Sequence, residues 1–305
     1  GHDGVVHCFN WIDQDEEWPY PTGASIQWSS PMLVNGRLYI GCSNGRLYCL
    51  SAASGKFLWS YKASGIIESS PAVAAGRLYF GSMDGRVYCI DAVNGAFKWE
   101  YNANSPIHST PCIKNNILYV GAADGRMYAL NTNTGGMLWR SYPTLKPISS
   151  SPSIDSSNLY FGGEDGIFYA VDALSGVLKW SYYIGSPIHS SPIVVNGIVY
   201  VGADNGSIYA LNPQSSSRDR LMWSYQTKGK IVSSPAAAGN LLYVTSEDGN
   251  CYAFGPKRFS GSSKTASVNG PVSPGQMVGY TINIMNGNNM GTVSVTDVLD
   301  AALIS

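Results

Sequence analysis

The sequence predicts an all-β fold, a β-propeller of four-stranded blades, and three observations predict it. A unit reading S-S-P, an apolar stretch, G-x-L-Y-x-G, D-G-x-x-Y-A and then G-x-x-x-W recurs along most of the 305 residues. The prolines that mark it, Pro31, Pro71, Pro111, Pro152, Pro192 and Pro235, lie 40, 40, 41, 40 and 43 residues apart. Self-similarity at a fixed period of this size is the mark of a repeat architecture. Finally, no segment carries a 3.6-residue apolar period over the length a helix needs.

Each unit resolves into four short strands. In the one from Ser69 to Tyr101, Ser70–Ala74 forms the first, with Pro71 at its start, where a missing N–H does least harm. Arg77–Gly81 forms the second, and Asp84-Gly85 turns the chain. Asp-Gly between apolar runs predicts a type I′ hairpin, both of whose central residues need positive φ. Arg86–Asp91 is the third strand, Asn94-Gly95 the next turn, and Phe97–Tyr101 the fourth strand. One twisted sheet of this size cannot bury both of its faces, and stacking blades around an axis buries each against a neighbour. Trp59, Trp99, Trp139, Trp180 and Trp223 recur once per unit. They read as structural wedges between blades, their indole N–H groups reaching backbone acceptors.

Two stretches carry a family resemblance. Ala170-Val171-Asp172-Ala173-Leu174-Ser175-Gly176-Val177-Leu178-Lys179-Trp180 and Ala129-Leu130-Asn131-Thr132-Asn133-Thr134-Gly135-Gly136-Met137-Leu138-Trp139 are close to A-x-D-x-x-T-G-x-x-x-W, with Ser175 at the threonine and Asn131 at the aspartate position. That pattern resembles the tryptophan-docking repeat of the pyrroloquinoline-quinone (PQQ) dehydrogenases, over about residues 3 to 256. The WD repeat fits poorly, since Trp59, Trp99 and Trp139 are followed by Ser, Glu and Arg. A similar repeat builds the lipoprotein subunit of the outer-membrane-protein assembly machine, which carries no quinone. Repeat identity therefore speaks for fold and not for chemistry.

The chain starts inside a repeat: Asp3–Asn10 aligns with Asp84–Asp91, and Glu17–Tyr20 with a fourth strand. Five complete units follow, and a sixth stops after its third strand at Cys251–Phe254. The expectation is a seven-bladed propeller incomplete at its N-terminus, with six and eight blades as the alternatives. Residues 1–256 are the propeller and polar residues 257–266 a linker. Residues 267–305 contain Pro274-Gly275-Gln276-Met277-Val278-Gly279-Tyr280-Thr281-Ile282-Asn283 and later Val293-Ser294-Val295-Thr296-Asp297-Val298-Leu299. These resemble the start of the conserved-repeat, immunoglobulin-like domain of prokaryotic surface proteins, with Asp300 where that family has proline. They supply too few strands for a whole β-sandwich.

Composition narrows function mainly by exclusion. Net charge is −1 and 13% of residues are charged, with no basic stripe, so nucleic acid is not an expected partner. No stretch has the length of a transmembrane segment. The Ser, Asn, Tyr and Gly content and the surface-type tail suggest an exported, cell-surface protein, with the periplasm as alternative. Cys8, Cys49 and Cys89 occupy a third-strand slot that holds Ala129, Ala170, Ala210 and Ala253 elsewhere. That alternation predicts small buried side chains and structural thiols. No cysteine pair has zinc spacing, so no metal ligands are assigned.

The quinoprotein resemblance implies adjacent cysteines, a tryptophan floor, calcium held by Glu and Asn, and an Asp base. No Cys-Cys pair occurs, and every connection between blades is short. No cofactor is therefore expected, PQQ with calcium included, and no catalytic residue is assigned. One position does vary, just before each S-S-P: Trp28, Glu68, His108, Ser149, His189 and Val232. Its preceding neighbours are Gln27 and then Ile67, Ile107, Ile148, Ile188 and Ile231. By alignment these residues ring the mouth of a central channel, as a candidate surface for a protein or glycan partner or as a hydrated rim. The function that follows is a non-catalytic binding or scaffold module of a modular surface protein. A PQQ-dependent dehydrogenase-like quinoprotein and an outer-membrane assembly scaffold are the alternatives.

Overall fold

The computed structural model describes residues 3–10, 12–216 and 218–255, and the backbone pairing of three strands nearer the C-terminus. The first sheet pairs β1 (Val5–Phe9) with β2 (Glu16–Pro21). Five four-stranded antiparallel sheets follow. They are β3–β6 (Met32–Val34, Arg37–Gly41, Arg46–Ser51, Phe57–Lys62) and β7–β10 (Ala72–Ala74, Arg77–Gly81, Arg86–Asp91, Phe97–Asn102). Next come β11–β14 (Cys112–Lys114, Ile117–Gly121, Met127–Asn131, Met137–Arg140) and β15–β18 (Ser153–Ile154, Asn158–Gly162, Ile167–Asp172, Leu178–Tyr183). The fifth is β19–β22 (Ile193–Val195, Ile198–Gly202, Ser207–Leu211, Leu221–Gln226). A three-stranded sheet, β23–β25 (Ala236–Ala238, Leu241–Thr245, Cys251–Phe254), ends the repeats. Adjacent first strands touch from β3 through β19, so these sheets are blades standing around one axis.

Separately, β26 (Ser263–Ala266), β27 (Met277–Asn286) and β28 (Asn289–Val298) pair antiparallel, starting inside the segment read as a linker. The other residues read as an immunoglobulin-like start, 267–276, 287–288 and 299–305, lie outside the described residues.

The constant letters of the repeat are consumed by the joints between blades. The glycine ending each second strand lies under the isoleucine that precedes the next blade: a methyl at Gly41 or Gly121 would sit 2.5 Å from Ile67 or Ile148. Ile107, Ile148, Ile188 and Ile231 are fully buried there. The first serine of S-S-P accepts the N–H of that same glycine, as Ser69 does from Gly81 at 3.2 Å and Ser109 from Gly121 at 2.9 Å. The second serine links blades: Ser30 N–H donates to Ser70 Oγ at 2.8 Å and Ser151 N–H to Ser191 Oγ at 2.9 Å.

At the outer seam, Trp18, Trp59, Trp99 and Trp139 each donate their indole N–H to a carbonyl of the next blade, those of Ala52, Val93, Thr132 and Ala173. The glycine of the receiving loop lies flat on the ring; a Cβ at Gly135 would stand 2.7 Å from Trp99. Each G-x-x-x-W of Gly95–Trp99 and Gly135–Trp139 thus joins a glycine that receives the preceding blade's indole to a tryptophan that docks on the next blade. The cross-strand partners of the tryptophans are Cys8, Cys49, Cys89, Ala129, Ala170 and Ala210. A small residue is required opposite an indole, and burial pushes the Cys89 thiol up to about 11.

Three expectations are corrected. Asp84-Gly85 is not a type I′ turn: Gly85 takes positive φ, Asp84 does not, and Gly85 N–H bonds Ser82 O one turn earlier. The paired positive φ angles lie between first and second strands, at Asn35-Gly36, Ala75-Gly76, Asn115-Asn116, Asn196-Gly197 and Gly239-Asn240. The buried isoleucine slot of the first full blade holds Ile26 and not Gln27, so Trp28 belongs to a one-residue bulge before Ser29. Not every wedge is alike, either. Trp99 and Trp139 are buried, but Trp59, Trp180 and Trp223 are half-buried. Trp180 packs under the Arg220 guanidinium at 3.9 Å, and Trp223 packs against Phe254.

Candidate functional site

The first-strand starts of six sheets converge on a cavity of about 690 Å³. Its lining includes Trp28, Glu68, His108, Ser149, His189 and Val232, one from each successive sheet. Below them lies a tier of Ser30, Ser70, Thr110, Ser151, Ser191 and Ser234. The second serine and the varied residue lie two positions apart, in the segment just ahead of each first strand. Trp28 is 69% exposed at the rim.

The structure adds residues that the sequence reading missed. Glu164, Asp204 and Glu247 reach the same cavity, and each stands just before the Asp-Gly or Asn-Gly of its repeat. The matching positions elsewhere are Ser43, Met83 and Ala123, so a second varied slot was present in the sequence. It passed as turn filler because polar residues are ordinary in turns. The backbone explains its height. Glu164 N–H bonds Pro147 O, Asp204 N–H bonds Pro187 O and Glu247 N–H bonds Lys230 O, which ties each turn to the segment leading into S-S-P.

Direct side-chain contacts join these groups. His108 Nδ1 faces Glu68 Oε2 at 2.8 Å across one blade boundary. A longer chain crosses two boundaries. Ser149 Oγ donates to Glu164 Oε1 at 2.5 Å, and Glu164 lies 3.7 Å from His189 Nε2. His189 Nδ1 faces Asp204 Oδ1 at 2.9 Å, and Lys230 Nζ reaches Asp204 Oδ2 at 3.4 Å. Four carboxylates thus share the mouth with one lysine and two imidazoles.

The order of groups decides what chemistry is open to this site. A serine nucleophile needs an imidazole to take its proton, with a carboxylate behind the imidazole. Here the carboxylate of Glu164 stands between Ser149 and His189. Among the described residues no group of three His, Cys, Asp or Glu side chains is arranged to hold a metal ion. The quinone–calcium site that the resemblance implies would need an adjacent cysteine pair. The six cysteines are single and free, and Glu68 is turned to His108. No helix among the described residues is long and apolar enough to cross a membrane.

Comparison with known proteins agrees with the fold. BamB from Moraxella catarrhalis superposes with a TM-score of 0.71 at 20% identity, over 84% of this chain and 77% of that one. The computationally designed Ika8 protein superposes with a TM-score of 0.59 at 16% identity, over 84% of this chain and 91% of that one. No curated protein matches the sequence. A family described as "Beta-alanine-activating enzyme, beta-propeller" matches residues 1–197. With constant letters spent on blade joints and a match over more than half its length, the chain belongs to that β-propeller family.

Proposed function

We propose that this chain is a non-catalytic binding module of an exported or cell-surface modular protein, holding a protein or glycan partner at the channel mouth. One observation carries the reading. Two slots of the repeat that vary in polarity, that of Glu68 and His108 and that of Glu164 and Asp204, open onto the same cavity, whereas the glycine and isoleucine slots are used up in joining blades. Side chains free of packing duty are where recognition can be written into a scaffold. The Ser–carboxylate–imidazole order at Ser149 supports a surface that binds rather than one that transfers a group. In this reading the ring has seven blades, and residues 267–305 begin an immunoglobulin-like surface domain. The family description names the propeller of an enzyme, and the propeller part is what matches here.

The test is the triple variant Glu68→Ser, His108→Ser and His189→Ser, since Ser149 already occupies that slot. Its unfolding free energy should lie within about 1 kcal/mol of wild type, as for surface changes with half-exposed ion pairs. Capture of a ligand found by glycan array or by pull-down with surface proteins should fall at least about tenfold, the loss of one or two charge-assisted contacts. Unchanged capture would move the binding face elsewhere. Turnover of an alcohol with PQQ and calcium added would revive the quinoprotein alternative. A second reading keeps the mouth and changes the setting to a periplasmic outer-membrane assembly scaffold, the other family whose repeat this one resembles. Capture of unfolded outer-membrane barrel chains at the mouth would favour it.

A further inference from the structure

The mouth is charged out of proportion to the molecule. Glu68, Glu164, Asp204 and Glu247 stand there against the single ammonium of Lys230. With the imidazoles neutral that is −3 in one cavity, in a chain whose whole net charge is −1. A cleft lined by one sign of charge focuses its field on whatever enters. The chain itself seats one cation there: Lys230 Nζ reaches Asp204 Oδ2 at 3.4 Å, from a slot that holds Ile66, Pro106, Pro147 and Pro187 in the preceding repeats. A separate departure from the repeat stands beside the cavity. Trp139 lies nine residues ahead of its buried isoleucine, Ile148, where Trp59, Trp99, Trp180 and Trp223 lie eight ahead of theirs. β14 stops one residue after its tryptophan, whereas β6, β10, β18 and β22 run three residues on. Ser141 takes the place of the tyrosine found at Tyr61, Tyr101, Tyr182 and Tyr225, and its hydroxyl accepts the Met127 N–H and donates to Tyr142 O. The loop that results leaves Tyr142 94% and Leu145 87% exposed. It is tied to the turn that carries Glu164, because Leu145 N–H donates to Asp165 Oδ2 at 3.2 Å and Glu164 N–H to Pro147 O at 3.0 Å.

We propose that the mouth receives a lysine or arginine side chain of a protein partner, and that an apolar side chain next to it in the partner rests on Tyr142 and Leu145. The proposal rests on the reading of the mouth as the binding face and names what that face selects. The entering cation is met by Glu164 and Asp204, the two carboxylates that flank His189 at 3.7 and 2.9 Å. A charged donor on a carboxylate makes a shorter and stronger hydrogen bond than the neutral hydroxyls of a glycan do. The loop decides between a protein and a charged sugar. An amino sugar brings the cation, but Leu145 offers a hydroxyl-rich chain no polar group, whereas exposed apolar side chains rimmed by charge are the ordinary mark of a protein contact.

The test probes the full 305-residue chain with pools of random fluorescent heptapeptides, each pool fixed at its central residue as Lys, Arg, Gln or Glu, and reads anisotropy. The Lys and Arg pools should bind at least about tenfold more tightly than the Gln and Glu pools, and the preference should vanish at about 1 M salt, where screening acts within about 3 Å. The shape-preserving pair Glu164→Gln with Asp204→Asn should lose about tenfold in affinity for the Lys pool. Lys230→Met removes the resident ammonium and should bind the Lys pool about threefold more tightly, a gain that damage to the fold cannot produce. Tyr142→Ser with Leu145→Ser should weaken peptides that carry Leu beside the central Lys about threefold. Equal binding of the Lys and Glu pools, a Lys230→Met variant that binds no better, or a preference for glucosamine oligomers over every peptide pool would overturn the proposal. Binding that ignores charge but is lost in the variant Glu68→Ser, His108→Ser, His189→Ser would overturn this inference and keep the mouth as the binding face. Binding that neither set of variants disturbs would overturn both.

Discussion

The outer seam and the channel mouth are built from the same repeat, and they use it in opposite ways. At the seam, Trp18, Trp59, Trp99 and Trp139 each meet a glycine and a carbonyl of the next blade, and these partners are fixed by contact. At the mouth, Trp28, Glu68, His108, Ser149, His189 and Val232 share one structural position and no common chemistry. The difference lies in what stands opposite. A seam residue faces a neighbour across van der Waals distance, so only one shape fits; a mouth residue faces open space and its ring neighbours, so charge can vary. Invariance within the repeat therefore marks the joints, and variation marks the surface left over for recognition.

The largest effect that could break this comparison is at a seam tryptophan. Trp99→Ala removes a buried ring and its hydrogen bond to the Thr132 carbonyl, and should cost about 3–5 kcal/mol in urea unfolding. Trp223 is half-buried and has no such carbonyl partner among the described residues, so Trp223→Ala should cost about half as much. Equal losses at the two sites would mean that the docking loop adds nothing to the ring's own burial.

A smaller effect is expected at the inner joint. Gly81 takes no positive φ, so its substitution tests space and not backbone strain. Gly81→Ala would drive a methyl into Ile107 and should cost about 1–3 kcal/mol. Combined with Ile107→Ala, which removes the Cγ2 that the methyl meets, Gly81→Ala should cost less than the two single losses summed, which a backbone cause would not allow. Strict additivity of the two losses would show that the glycine is kept for another reason.

How much of this was legible before the structure depends on the kind of information involved. Strand order, blade size and the wedge role of the tryptophans follow from periodicity, because each repeat must solve the same burial problem. The alternation of Cys49 and Cys89 with Ala129 announced a small buried slot, though not that an indole across the strand imposes it. Glu164, Asp204 and Glu247 went unread because a turn residue's height relative to a neighbouring strand is a tertiary fact. The slip at Gln27 has a similar cause. The proline spacing of 40 is kept between Pro31 and Pro71, so a bulge ahead of Ser29 leaves no trace in the period. The type I′ assignment at Asp84-Gly85 failed because the Asp side chain is engaged elsewhere. It accepts from Tyr88 O–H at 2.7 Å and from the N–H groups of Ser64 and Gly65 at 3.1 Å, which holds the turn to the preceding blade.

The smallest effect tests whether the seam loops are held by charge as well as by shape. Asp172 opens the loop that docks on Trp139, and the Lys179 ammonium at 3.0 Å, with the Ser175 hydroxyl and loop N–H groups, holds its carboxyl down to about 2. A folded-state value below the usual 3.8 means the unfolded chain takes up this proton first as pH falls. The contribution is therefore complete above about pH 4 and is lost progressively as pH falls through about 2. Because the pair is exposed, it should amount to less than about 1 kcal/mol and shrink in salt. Asp172→Asn should thus unfold more easily than wild type at pH 6 by that margin, with the gap closing near pH 2. A gap that persists unchanged at pH 2 would assign the loss to the loop hydrogen bonds, which the amide cannot fully reproduce, and would leave the seam held by shape alone.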